Sequence, residues 1–316
     1  MKFSAKKYDF TGFYSFYNAE IGILSASHTG NANDLYNSIN NQIPSIVNDF
    51  TYTIKNPKQE VKHHIIKANY NYYFDETASL AVQYAFQYNK RLEFDVRRGN
   101  FNNKPALDLD LKTHAVNIDY KKNLHDWNIK SGVNTSLQSN VANPNTGVRP
   151  LIPDYTKIDF GAYGIISHDF SDSFTLETGL RYDFSKTDAT KFYFKSRWEE
   201  RGYSSEFASF VVGDYANQLL TEPTFIFHNI SGSVGFHKAF DSGLNWYTNL
   251  SFAMRNPNPS EFFSDGLHHS TGVIELGDLA LDKESSLKLT STLQKSGNLF
   301  LLSLIRTSIA FKIICS

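Results

Sequence analysis

Hydrophobic and polar residues alternate along most of this chain. From Thr77 to Asn89 one side carries Ala78, Leu80, Val82, Tyr84, Phe86 and Tyr88, and the other carries Thr77, Ser79, Ala81, Gln83, Ala85, Gln87 and Asn89. A period of two is the signature of a strand with one apolar face. Phe174, Leu176, Leu180, Tyr182 and Phe184 alternate with Thr175, Glu177, Gly179, Arg181 and Asp183, and Leu244, Trp246, Leu250, Phe252 and Met254 with Asn245, Asn249, Ser251 and Arg255. Weaker alternation runs through 66–74, 114–120, 127–137, 158–166, 224–236 and 284–294, and no stretch shows a helical stripe.

These strands are long. Soluble strands average about five or six residues, whereas a tilted strand crossing a bilayer needs roughly nine to eleven. The connections separate a soluble sandwich from a membrane barrel. Short turns rich in turn formers fall at Asp75-Glu76, 123–126, 171–173, 241–243 and 296–298, and long polar connections at about 27–60, 96–107, 141–154, 188–222 and 257–282. Short and long alternate, as periplasmic turns and outer loops do in an outer-membrane barrel. Aromatics crowd the short turns: Tyr72, Tyr73 and Phe74, then Trp127, Phe170, Phe174, Phe240, Trp246 and Tyr247. Rings gathered at one end of each hairpin suit an interfacial girdle. The pattern predicts ten or eleven antiparallel strands in up-and-down order, with no separate second domain.

Composition agrees. The 316 residues are 41% hydrophobic yet 15% aromatic, with 18 Tyr and 26 Phe, a bias toward strands. The net charge of −1 argues against a nucleic-acid footprint, and Cys315 as the single cysteine excludes an internal disulfide or a cysteine metal cluster. The opening MKFSAKKYDFTGFYSF has no apolar run of a signal peptide. Residues 299–315, LFLLSLIRTSIAFKIIC, are a little short for a spanning helix and carry Arg306 and Lys312.

At 255–286 the chain reads RNPNPSEFFSDGLHHSTGVIELGDLALDKESS. This resembles the barrel segment of TonB-dependent outer-membrane receptors: Arg-x-Pro closing a strand, a Glu-Leu-Phe-Ser-Asp-Gly-x-His loop, a Glu-x-Gly-Asp turn and Leu-x-x-Glu-Ser opening the next strand. Arg255, Pro257, Pro259, Glu261, Phe263, Ser264, Asp265, Gly266, His268, Glu275, Gly277, Asp278, Leu281, Glu284 and Ser285 fall on that pattern. The stretch FDVRRGNFNNKPALDLDLKTH at 94–114 is also similar to such receptors, chiefly the Bacteroidetes type.

The resemblance implies a barrel of about 22 strands around a plug, in the outer membrane of a Gram-negative bacterium. It also implies uptake of a scarce ligand such as ferric siderophore, haem, cobalamin or another metal chelate, driven through a TonB partner. Against that pattern, the chain shows no plug, TonB box or export signal, and no final strand ending in Phe. The fold expected is therefore all-β, an incomplete antiparallel up-and-down transmembrane barrel without its plug. Residues 1–298 form the barrel part and 299–316 an aberrant tail, where a frameshift, premature stop or gene split replaced the native continuation. An intact single frame in the flanking genomic DNA would refute that origin for the tail.

Candidate chemistry concentrates in loops and on polar faces. His268 and His269, with Asp265, Glu275 and Asp278 nearby, can hold a metal or metal chelate, although adjacent strand histidines point to opposite faces. The plainer reading is a solvated structural loop. His63 and His64 open a strand and read as interfacial. Arg97 and Arg98 stand where a strand leaves the membrane, to attract anionic chelates or to solvate the rim. Tyr193 and Trp198, with Glu199, Glu200, Arg201 and Tyr203, suit ligand capture or packing of a folded-over loop. Arg181 and Arg255 lie on the polar face, toward lumen or plug, and the resemblance singles out Arg255.

No catalytic elbow, metalloprotease helix, P-loop or dinucleotide fingerprint occurs. The expected function is a non-enzymatic receptor and transporter, binding through outer loops and polar lumen residues without a cofactor. The alternatives are a structural or adhesive barrel without transport, an outer-membrane hydrolase on a smaller closed barrel, and a non-functional product of a disrupted receptor gene.

Overall fold

The computed structural model describes residues 1–23, 49–97, 99–101, 103–268, 273–296 and 301–315, with isolated positions between 36 and 47. In chain order the strands are β1 (Lys2–Ala5), β2 (Tyr8–Gly22), β3 (Lys58–Tyr73), β4 (Ala78–Phe94), β5 (Leu107–Leu124), β6 (Trp127–Ala142), β7 (Asp154–Ser171) and β8 (Phe174–Phe194). They continue as β9 (Val211–Tyr215), β10 (Gln218–Thr221), β11 (Thr224–Ala239), β12 (Leu244–Arg255), β13 (Asp265–His268), β14 (Val273–Leu276), β15 (Leu281–Ser296) and β16 (Leu301–Cys315). Eleven of them span 12 to 21 residues.

One antiparallel sheet runs β1-β2-β3-β4-β5-β6-β7-β8-β11-β12-β15-β16, each long strand beside the next long strand in the chain, with β10 added at the top of β8 and β9 on β10. The path is open, ending on β1 and β16 among the described residues. Among those residues no helix is long and apolar enough to cross a membrane. The long connection expected from residue 188 begins only after Phe194. Gln218–Thr221 pair with residues 191–194 and carry the ladder upward. Residues 301–315, set apart in the sequence reading as a tail, pair antiparallel with β15.

Register keeps one side chain type on each face. Ile66 opposes Phe86, Leu137 opposes Ile158, Ala162 opposes Tyr182, Tyr182 opposes Ile230 and Phe252 opposes Leu287. The outward face is therefore apolar across the sheet, and Leu180 stands 66% and Ile230 58% exposed. Such a band is costly in water and suited to lipid.

The inward face is wired by polar pairs. Gln83 donates to Asn69 at 2.8 Å, Gln138 to Thr113 at 3.1 Å and Tyr155 to Gln138 at 2.8 Å. Arg181 donates to Asp183 at 2.7 Å and to Asn134 at 2.8 Å. Gly161 makes room for that last group. A Cβ there would overlap Arg181 Nη2 and Asn134 Oδ1 and sit 2.6 Å from Asp183 Oδ1, whereas at Gly164 nothing lies within 4 Å. Gly161→Ala should cost about 1–3 kcal/mol through overpacking, and Gly164→Ala close to nothing. Midpoints of urea unfolding in detergent check the contrast.

At the short-turn end the outward rings touch in sequence. Tyr72 meets Phe74 at 5.0 Å between centroids, Trp127 stacks on His168 at 4.0 Å, Phe174 approaches Phe236 at 6.1 Å and Phe236 meets Trp246 at 4.9 Å. The girdle expected from the sequence is present as a run of contacts. In the turn before β4, Asp75 accepts from the Thr77 hydroxyl at 2.6 Å and its amide at 2.7 Å, which holds the Asp75 carboxyl down to about 2.

Candidate functional site

The buried apolar core lies at the opposite end, on the inward face. Three short helices, α1 (Lys195–Glu200), α2 (Tyr203–Glu206) and α3 (Pro259–Phe263), and the hairpin β13–β14 fold over the upper strands. Tyr155, Ala189, Tyr193, Trp198, Tyr203, Phe207, Phe262, Phe263 and Leu279 form one cluster. Phe262 stacks on Phe225 at 4.2 Å, nearly parallel at 4°. Burying large rings here supplies the stabilisation that the lipid-facing wall cannot draw from water.

Local sequence explains α3. Asn258 caps it, accepting from Ser260 N at 3.0 Å and Glu261 N at 3.1 Å, while Glu261 accepts from Asn258 N at 2.7 Å and Pro259 fills the first turn. This reciprocal box satisfies amides that a helix start otherwise leaves orphaned. The same Glu261 receives Arg255 in a two-pronged contact at 2.9 and 3.0 Å, and Arg255 also reaches Glu284 at 2.9 Å. Arg255 thus ties the end of β12, the start of α3 and the start of β15.

Two further ties close the cap. Tyr203 donates to Asp278 at 2.6 Å and accepts from Leu279 N at 3.0 Å, while Arg201 bonds the Gly277 carbonyl. Gly277 lies so close to α3 that a Cβ would meet the Phe262 carbonyl oxygen at 2.6 Å. Beneath, Lys191 bonds the Phe263 carbonyl and lies 3.9 Å from Asp265, which also meets Arg149 at 3.1 Å. Arg149 stacks over Phe194 at 4.5 Å.

The Arg255 guanidinium, bonded to Glu261, holds that carboxyl below the usual range, with the Asn258 amide assisting. Because the folded pKa is lowered, this contribution is present above about pH 4.3 and lost as pH falls through the lower folded value. Hydrogen exchange should therefore find the amides of Ser260 and Glu261 fully protected from pH 7 down to about 4.3, with protection falling progressively below it as pH approaches the lower folded value.

The family model for TonB-dependent receptor-like β-barrels matches residues 4–302. The chain belongs to that family. Its members are transporters of the Gram-negative outer membrane rather than enzymes.

Solved receptors share the fold. The closed form of the ferric-catecholate import receptor Fiu from E. coli K12 superposes with a TM-score of 0.62 at 12% identity, over 96% of this chain and 49% of Fiu. The FrpB iron transporter of Neisseria meningitidis gives 0.58 at 16% identity, over 94% and 42%. The copper transporter OprC gives 0.55 at 16% identity, over 76% and 37%. The chain thus spans less than half the length of each of these structures. No curated protein sequence matches it.

Within this receptor barrel the residues expected at the site take several places. Arg181 and Arg255 lie on the polar face of the sheet, both paired within the chain. Asp265, expected to meet a ligand, is 8% exposed and held by Arg149 and Lys191. Tyr193 and Trp198, at 3% and 2% exposure, have no face left for a ligand, because α1 and α2 fold onto them. Arg97 donates to the Thr146 carbonyl at 2.8 Å and lies over Phe101 at 4.8 Å, fastening two outer connections to each other.

Arg98, His269 and the His268 side chain lie outside the described residues. Glu275 accepts from Ser264 at 3.4 Å and Asp278 is taken by Tyr203. Among the described residues no three His, Cys, Asp or Glu side chains gather as a metal site.

Lys191 and Arg149 were missed by the sequence reading. Lys191 shares inward parity with Arg181 and could have been placed there. Arg149 sits in an irregular connection, and nothing local points it at Asp265.

Proposed function

We propose that this chain forms part of the wall and mouth of a receptor that takes up a ferric siderophore or another metal chelate in a TonB-dependent manner. The observation that carries the reading is the cap: the family's motif residues Arg255, Glu261, Phe263, Gly277, Asp278 and Glu284 assemble it over the inward, polar face. A shaped mouth above a polar lumen suits capture before passage. Ferric-catecholate, iron and copper transport are stated for Fiu, FrpB and OprC respectively. They make a metal chelate the favoured ligand class here. With Asp265, Tyr193 and Trp198 committed to the cap, contact falls to His268, His269, Arg98 and the exposed rim.

The plug, the TonB contact and the strands completing the wall belong to this proposal, as do the division into 1–298 and a departing tail. The family match ends at residue 302, beside that division.

The complete gene product, expressed in iron-starved cells with and without TonB, should take up labelled ferric catecholate only when TonB is present. Failure across siderophore, haem, cobalamin and copper chelates would remove the uptake reading.

A further inference from the structure

Under the cap two cations share one carboxylate. Asp265, the first residue of β13, meets Arg149 at 3.1 Å and Lys191 at 3.9 Å. Lys191 stands on the inward side of β8 with its side chain 3% exposed, beyond the outward Lys186–Asp188 pair and so outside the lipid-facing band. Its amine bonds the carbonyl of Phe263, the last residue of α3, and lies 4.7 Å from the centre of the Tyr193 ring. Phe263 and Asp265 belong to α3 and the hairpin β13–β14, whereas Lys191 belongs to the wall.

The charges around the amine do not balance. Arg149, from the connection between β6 and β7, and Arg201, between α1 and α2, both act on it. Among the described residues Asp265 is the one carboxylate within 4.0 Å of it. Asp278 is turned to the Tyr203 hydroxyl at 2.6 Å, and Glu275 to Ser264 at 3.4 Å. Tyr193 and Tyr203 add no negative charge, because burial pushes the dissociation of both hydroxyls above its usual range.

Burying excess charge costs more than one shared pair returns. A guanidinium keeps its proton, so the lysine is the cation that can shed its charge. Burial accordingly pushes the Lys191 ammonium down to about 7, with Asp265 opposing the fall and Arg149 and Arg201 adding to it. The neutral amine still donates to the Phe263 carbonyl. Closure therefore uses the hydrogen bond and works against the charge.

We propose that Lys191 is a proton-operated latch on the cap: α3 and the hairpin β13–β14 close over its neutral amine and lift from β8 when the amine takes up a proton. Its use in admitting a ligand rests on the receptor reading above, whereas the latch itself is tested with no ligand present. Once Phe263 and Asp265 move away, the amine faces water and returns toward the ordinary lysine value near 10.4. Between about 7 and 10.4 the open cap binds a proton that the closed cap does not. Closure is thus strongest at the top of that window and weakens as pH falls through it. The open population should grow about fiftyfold from pH 9 to pH 7, and only about twofold more from pH 7 to pH 6. This window lies well above the one in which the Arg255–Glu261 contact is lost.

Hydrogen exchange on the full chain in detergent, corrected for intrinsic rates, reads the latch at the amides of Asp265 and Leu279. They bond the Leu151 carbonyl at 3.2 Å and the Tyr203 hydroxyl at 3.0 Å, contacts that lifting breaks. Their protection should fall about fiftyfold from pH 9 to pH 7, and Lys191→Met should abolish that dependence. Constant protection over this range overturns the proposal, and so does an unchanged dependence in a Lys191→Met variant whose heat-modifiable mobility shows it folded. If that variant does not fold, the unaltered chain labelled with carbon-13 at lysine Cε decides: one lysine resonance titrating near 7 supports the latch, and none doing so refutes it. Because neither readout involves transport, failed uptake would leave the latch standing, and a failed latch would leave the uptake reading standing.

Discussion

Phe262→Ala should release the cap from the barrel mouth. Phe262 is 1% exposed, stacks on Phe225 and touches Phe227 and Phe263 in the same cluster. Truncation removes the transfer free energy of the ring and leaves a cavity that neighbours fixed on rigid strands cannot fill, a loss of about 3–5 kcal/mol. Because α3 is one short turn held by that ring, the loss falls on local opening of the cap and leaves the wall intact. The open population then rises roughly a hundred and fifty- to several thousandfold. Trypsin has Lys195, Arg197 and Arg201 to cut in the opened cap. Cleavage there should accelerate in the same proportion while heat-modifiable mobility of the barrel is unchanged. An unaltered cleavage rate would show that Phe262 does not hold the cap.

Asp265→Ala should have an effect of similar size for a different reason. Its carboxylate is the anion between Lys191, whose side chain is 3% exposed, and Arg149. Removing it strands Arg149 and takes from Lys191, whose pKa burial already lowers to about 7, the carboxylate that favoured its charged form, leaving that amine to the Phe263 carbonyl and the Tyr193 ring; breaking a buried pair on one side costs up to about 3–5 kcal/mol. The double variant Asp265→Leu/Lys191→Met should recover the Lys191 share of that loss, with Arg149 still unpaired, since apolar side chains of similar volume carry no desolvation penalty. The same proteolysis assay, read on single and double variants, separates a lost charge pair from lost packing. A double variant no better than Asp265→Ala would assign the effect to Arg149 or to shape.

Both results would recast the stretch that carried the family resemblance. Arg255, Glu261, Gly277, Asp278 and Glu284 were legible as a motif, yet their work is to tie α3 and the hairpin to the strands. Tyr193, Trp198 and Asp265 looked available for a ligand because aromatic and acidic residues in a loop read the same whether they are packed or exposed. The outward units that pair Tyr14 with His64, Tyr84 with His114 and Tyr182 with His228 were hidden for a related reason. His64 was recognisable as interfacial, but each unit is split between two strands separated by 30 to 50 residues.

The sequence by itself determined the nine long strands between residues 58 and 296, their up-and-down order and most of their short and long connections. All of these follow from a two-residue period and from turn chemistry, which act over a few residues. Only the tertiary structure decided the cap. Register sets which side chains become neighbours across strands, and the Arg149–Asp265 and Tyr203–Asp278 ties join residues 116 and 75 positions apart. Local patterning carries no record of such pairs, because their free energy exists only once the distant segments have been brought together.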